Sequence, residues 1–172
     1  YFFNERLLAF RTRNNLASRI NVISKRAFDI IVGSLLILLL APLLLLLVIL
    51  IRIESPGAAL FAHRRLGKNG VPFNCYKFRS MVMNAQELLP QLLEDNPELQ
   101  EEWNRDFKLK HDPRVTRIGR ILRQTSLDEI PQLINVLKGE MSLVGPRPII
   151  AEEMERFGDA ARDYMMVLPG IT

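Results

Sequence analysis

Cysteine is nearly missing from this 172-residue chain. Its single copy, Cys75, excludes an internal disulfide, so nothing in the sequence asks for an oxidising compartment. Histidine is almost as scarce. His63 and His111 stand far apart, and with one cysteine they argue against a zinc cluster. Any metal is then expected to be a hard ion held by oxygen. No histidine lies near Cys75 in sequence and no cue lowers its pKa, so the thiol is not expected to be a nucleophile. Strong net charge is missing too. A formal charge of +4 fits an anionic substrate or a membrane surface as well as nucleic acid. Aromatic residues make up 8% of the chain, too scattered for an obvious base-stacking platform. There is no internal repeat and, apart from one leucine run, no low-complexity tract.

That run is the strongest feature present. Between Asp29 and Arg52 lie 22 uncharged residues, IIVGSLLILLLAPLLLLLVILI, enough to cross a bilayer core. A simple spanning anchor is the plain reading. Pro42 near the middle, which removes a helical hydrogen bond, argues against it. So do the cations at both ends (Arg19, Lys25 and Arg26 before; Arg52, Arg64, Arg65 and Lys68 after), because the positive-inside rule then chooses no direction. A helix that enters, breaks at Ala41-Pro42 and returns to the same face satisfies both facts. The first 24 residues lack a signal peptide's layout, and without an initiating methionine the chain reads as a fragment.

The chemistry concentrates between Leu122 and Pro148, LRQTSLDEIPQLINVLKGEMSLVGPRP. Ile130, Leu133, Ile134 and Leu137 fall on one helical face, with Gly139 as an αL stop and Lys138 near the negative end of the dipole. Ser126 and Glu129 match a capping box, but Asp128 as N-cap is the better fit, because it leaves Pro131 in the first turn. Either way the pair Asp128 and Glu129 sits where backbone N–H groups favour anions, which keeps a carboxylate ionised and able to ligate Mg²⁺ or attack phosphorus. The plainer reading is a cap beside a solvated glutamate. Upstream, Arg117, Arg120 and Arg123 make a basic stripe opposite Ile118, Ile121 and Leu122; such a stripe is also ordinary solvated surface. Downstream, Gly145-Pro146-Arg147-Pro148 is a stiff turn in which glycine permits close approach and one guanidinium projects. Cations around a carboxylate pair point to a negatively charged substrate handled with a metal.

Between these blocks, Glu54 to Gly57 is a turn, and Gly67 and Gly70 bracket a hairpin turn. Phe73 to Met81 reads as a strand that places Cys75, Lys77 and Arg79 on one face, where the cations either contact phosphate or guard an edge. Asn84 to Phe107 is helical and acidic, divided at Pro90 and Pro97, with Leu and Trp103 positions suited to a membrane interface. Asp112 reads as a turn-former before Pro113, with a metal-ligand role as the alternative. An amphipathic helix follows Ile149.

SLDEIPQLINVLKGEMSLVGPRP, together with KRAFDI, an Ala-Pro pair, SPG and YKFRSM, resembles the bacterial sugar transferases, monotopic polyprenyl-phosphate phosphoglycosyl transferases. The match runs from about Lys25 to Pro148, and CYKFRSMVMNAQELL and EWNRDFKLKHDPRVTRIGR look like the galactose-1-phosphate branch. The resemblance implies an α+β, mostly helical protein: a re-entrant helix–break–helix over residues 25–55 joined to a small cytosolic catalytic domain with a short β-hairpin over residues 56–172. Residues 1–24 would be a linker from a missing N-terminal region, and the C-terminal end would be truncated. The implied reaction moves hexose-1-phosphate from a UDP-sugar to undecaprenyl phosphate at the cytoplasmic face of a bacterial inner membrane and releases UMP. Galactose is favoured, with glucose or an N-acetylhexosamine as alternatives.

In that reading Asp128 is the nucleophile and, with the diphosphate, the Mg²⁺ ligand. Glu129 assists metal placement or proton handling. Lys77, Arg79, Arg114, Arg120, Arg123 and Arg147 are the candidate substrate-binding cations. Membrane lipid is an expected partner, nucleic acid is not, and homo-oligomerisation stays open. The rivals are a non-catalytic membrane scaffold of a polysaccharide assembly complex and a basic-stripe binder of nucleic acid or anionic lipid.

Overall fold

A computed structural model describes residues 18–106, 109–154 and 160–172. The expected linker over residues 1–24 therefore lies mostly outside the described residues. The apolar run forms the core of a single helix, α1 (Arg19–Glu54, 36 residues). At about 1.5 Å per residue that is roughly 54 Å of helix. Its most apolar window has mean hydropathy 3.3 and is only 11% buried, so it is long and apolar enough to cross a membrane. The helix continues through Pro42, so the break expected at Ala41-Pro42 is not an interruption of secondary structure. A proline deletes one bond from the ladder, and the apolar residues on both sides carry the helix on.

Both ends of α1 are tied to the rest of the molecule. Near the start, Asp29 is buried, pairs with Lys25 at 3.0 Å, and accepts hydrogen bonds from Ser142 Oγ (2.8 Å) and Leu143 N (3.3 Å). Arg26 donates to the backbone oxygens of Val136 (2.5 Å) and Leu137 (2.7 Å). At the far end, the Glu54 carboxylate accepts from the N–H groups of Arg117 (2.7 Å) and Ile118 (2.9 Å).

Next comes an antiparallel hairpin, β1 (Leu60–Leu66) and β2 (Pro72–Phe78), joined by a 3₁₀ turn at Lys68–Gly70. Its register sets Phe61 opposite Lys77, His63 opposite Cys75 and Arg65 opposite Phe73. β2 ends three residues earlier than the expected strand, although Arg79 N still donates to Ala59 O at 2.8 Å.

α2 (Ala85–Glu94) and α3 (Pro97–Asp106) follow. Pro97 begins α3 as expected, but Pro90 lies inside α2 instead of dividing it. α4 (Arg117–Thr125) starts at Thr116, whose hydroxyl accepts from Gly119 N at 2.9 Å. α5 (Gln132–Lys138) ends at Gly139 with φ 85°, the αL stop its sequence promised. The described residues of the tail form two short helices, α6 (Ala151–Met154) and α7 (Ala160–Met165).

Two apolar clusters meet across β2. Phe78 joins Leu47, Ile51, Ala59 and Leu122, which fastens α1 to α4. Phe73 and Cys75 join Val136 and Met141, which fastens the hairpin to α5. Two residues of the expected apolar faces stay open to solvent: Ile121 is 54% exposed and Ile134 is 38% exposed. α5 instead buries Gln132, Leu133, Asn135 and Val136. Asn135 explains why a polar residue faces inward. It accepts from Tyr76 N (3.0 Å) and donates to Asn74 O (2.7 Å), so it takes the place of a third strand along the free edge of β2.

Candidate active site

The acidic pair lies in the joint between α4 and α5. Ser126 takes an αL conformation (φ 57°) that ends α4, and Leu127–Glu129 form a 3₁₀ turn. Ile130 and Pro131 then lead into α5, with Pro131 at its N-cap position. Asp128 is therefore not the N-cap of α5, which corrects the sequence expectation. Its electrostatics differ as well. Burial pushes the Asp128 carboxyl up and the neighbouring Glu129 charge adds to this, while Lys77 and Arg123 oppose it.

Lys77, on β2, donates to Glu129 Oε1 at 2.6 Å. Arg123, in the last turn of α4, donates from Nε to Ser80 Oγ at 2.9 Å. Two cavities open on this joint. The larger, about 670 Å³, is lined by Asp128, Lys77, Arg123 and Ser80 together with apolar Phe61, Met81 and Met83. The smaller, about 420 Å³, is lined by Glu129, Gln132, Lys77, Arg65 and Arg147. The two carboxylates thus face different cavities, and Lys77 borders both.

The GPRP turn is held rigidly beside the smaller cavity. Gly145 N donates to Thr172 O and Gly170 N donates to Pro146 O. The two backbones lie so close that a Cβ on Gly145 would stand 2.5 Å from Leu168 O. That is the close approach its glycine suggested. The Tyr164 hydroxyl donates to Arg147 O at 3.1 Å and fixes the turn from the other side.

Of the residues picked from the sequence, Asp128, Glu129, Lys77, Arg123 and Arg147 come together around the two cavities. Three others are placed differently. Arg79 is 8% exposed, and its guanidinium donates to the backbone oxygens of Ser55 and Pro56. Arg114 is 7% exposed, pairs with Asp112 at 2.7 Å and donates to Ala85 O. Both border the larger cavity while these bonds tie them to the fold, and Arg79 Nε is buried without a partner. Arg120 is exposed and borders neither cavity. Asp112 is the turn-former: its Oδ1 accepts from Arg114 N at 3.0 Å. Cys75 is buried and burial pushes its thiol up, away from nucleophilic use.

Arg65 and Gln132 went unselected by sequence reasoning. The hairpin register puts Arg65 on the face of Lys77, a signal that appears only once the pairing is known. Gln132 sits in an apolar pattern that gives no reason to look at it.

Among the described residues no group of three or more His, Cys, Asp or Glu is placed to hold a metal. The adjacent carboxylates Asp128 and Glu129 supply hard oxygen. Mg²⁺ is usually held by one or two carboxylates plus substrate phosphates, so the donor set fits a site shared between protein and substrate.

A model of the bacterial sugar transferase family matches residues 20–172. Over the whole chain the sequence is 48% identical to an undecaprenyl-phosphate galactose phosphotransferase of Salmonella typhimurium and 49% identical to an uncharacterised sugar transferase of Haemophilus influenzae, covering 36% of each relative. It is 40% identical over 159 residues to the UDP-glucose:undecaprenyl-phosphate glucose-1-phosphate transferase of Escherichia coli, covering 90% of this chain and 31% of that one. The chain thus spans about a third of the length of these relatives. With 153 of its residues inside the family model, around a turn that sets two carboxylates among lysine and arginine, the chain belongs to the bacterial sugar transferase family.

Proposed function

We propose that this chain carries the catalytic unit of an enzyme that transfers hexose-1-phosphate from a UDP-sugar to undecaprenyl phosphate. The observation that carries this reading is Asp128, set at a cavity wall with Lys77 and Arg123. In the first step a carboxylate oxygen of Asp128 attacks the sugar-bearing β-phosphorus. The bond from that phosphorus to the bridging oxygen breaks, and UMP leaves with the electron pair. In the second step a phosphate oxygen of undecaprenyl phosphate attacks the same phosphorus and releases Asp128 as carboxylate. Splitting the transfer lets a soluble donor and a membrane-bound acceptor react in turn.

Burial suits this role. A carboxylate out of water is poorly solvated and therefore reactive, and the Lys77 and Arg123 charges oppose the rise that burial causes. Lys77, Arg123 and Arg147 would bind phosphate oxygens. Glu129 holds Lys77 in position, in addition to any part in metal placement. Mg²⁺, held by Asp128 with the diphosphate, would neutralise charge on the phosphoryl oxygens.

The membrane reading rests on how α1 docks. Arg26 and Glu54, 28 residues apart, both bond to the catalytic body. A straight crossing separates such positions by roughly 42 Å, more than a bilayer core of about 30 Å. One folded unit cannot hold both ends from opposite sides of lipid, so a re-entrant α1 on the cytoplasmic side of the inner membrane is favoured. Galactose is the favoured sugar, since the relatives over the full chain include one named for it.

Asp128→Asn should abolish UMP release and sugar-dependent mass labelling of the protein. Near-normal UMP release by that variant would overturn the nucleophile assignment, and no release by the unaltered enzyme with any UDP-sugar would favour the scaffold.

A further inference from the structure

Gln132 lines the smaller cavity, 1% exposed, and its Oε1 is buried without a hydrogen-bond partner. A buried amide oxygen left unpaired costs free energy, so such a group at a cavity wall favours a ligand that can donate to it. Its surroundings narrow the ligand. Lys77 borders both this cavity and the larger one that Asp128 faces, so the amide lies across that lysine from the reacting phosphorus. Phosphate oxygens only accept hydrogen bonds and cannot satisfy Oε1. Lys77, Arg65 and Arg147 border the same space and are the natural partners for phosphate. The hexose, one bond from the β-phosphate, carries the donors within reach, while the base is separated from that phosphorus by a second phosphate and a ribose. A hydroxyl both donates and accepts, so it pairs with either end of the amide.

Resting on the transferase reading above, we propose that Gln132 is a specificity-determining residue whose amide hydrogen-bonds one ring hydroxyl of the hexose being transferred. The sugar stays on the same phosphorus through both displacements, so this contact persists while UMP is exchanged for the lipid phosphate. A site built to bond a hydroxyl rejects an analogue lacking it, because the amide is again left unpaired.

The experiment measures kcat/KM for UMP release by the membrane-embedded enzyme with UDP-galactose and its 2-, 3-, 4- and 6-deoxy analogues. One deoxy analogue should lose at least about tenfold in kcat/KM. Gln132→Met should lower the parent sugar by a similar factor and leave that analogue almost unchanged, so that the discrimination collapses towards unity. Gln132→Glu, which keeps an acceptor oxygen at the same place, should preserve the discrimination. Equal rates for all analogues with the unaltered enzyme overturn the proposal without any variant needing to fold. Undiminished discrimination in Gln132→Met also overturns it. Absence of UMP release from every UDP-sugar is a different result, which refutes the transferase reading itself.

Discussion

Asn135 offers the sharpest test of how the site is held. It is fully buried, accepts from Tyr76 N at 3.0 Å, and donates to Asn74 O at 2.7 Å and Glu140 Oε2 at 2.6 Å. Truncation to alanine removes all three bonds. Glu140 is partly exposed and can turn to water, but the two strand groups lose their partner beside a packed cluster. Each orphaned group costs about 1–3 kcal/mol, so Asn135→Ala should destabilise by about 2–6 kcal/mol. For a chain of this size each kcal/mol moves Tm by about 2–4 °C, so the melting point in detergent should fall by at least about 4 °C. Activity should fall with it even below the transition, because the residue after Tyr76 is Lys77. Asn135→Asp keeps the acceptor, loses the donor to Asn74 O and sets a second carboxylate against Glu140, so it should also be destabilised. A fall below about 2 °C for Asn135→Ala, or wild-type stability for Asn135→Asp, would refute the strand-substitute reasoning.

Three further outcomes follow from the geometry. At Asp112, burial pushes the carboxyl up but hydrogen bonds from Arg114 outweigh it and hold it below the usual carboxylate value. A lowered folded-state pKa stabilises fully above the ordinary value of about 4 and loses that stability as pH falls through the folded value. Asp112→Asn should therefore lower Tm at neutral pH and flatten the fall seen between about pH 5 and pH 3, whereas parallel curves would show that the pair contributes nothing. Gly145→Ala places a methyl group against Leu168 O and Gly170 N, so it should displace the 168–172 segment and reduce UMP release more than it reduces Tm, which paired assays can separate. Cysteines at positions 20 and 56 should be labelled from the same side of sealed vesicles; labelling from opposite sides would make α1 an ordinary span.

Much of this architecture was legible because the chain marks it with residues of narrow conformational choice. Gly139 stops α5, Gly67 and Gly70 frame the hairpin turn, and an uncharged run of leucines has few alternatives to a long helix. The acidic pair and its nearest cations were also readable, since Asp128, Glu129 and Arg123 are close in sequence. The bonds of Arg79 and Arg114 were not legible, because an arginine on paper carries no record of what its guanidinium touches. Here backbone oxygens and Asp112 accept from the guanidinium groups, and only tertiary packing decides that. The start of α5 was misplaced because a 3₁₀ turn and an α-helical first turn share one apolar spacing. Its inward face was misread because Gln132 and Asn135 are polar, and a hydropathy pattern assigns polar residues to solvent.

The anchor is not an interchangeable tether. Arg26 occupies carbonyl groups at the end of α5, and Glu54 occupies amide groups at the start of α4, so the long apolar helix finishes two helices that it does not adjoin in sequence. Replacing it with an unrelated hydrophobic segment would deliver the chain to the bilayer while stripping both neighbours of their terminal partners. The joint that bears Asp128, lying between those two helices, takes its shape from both.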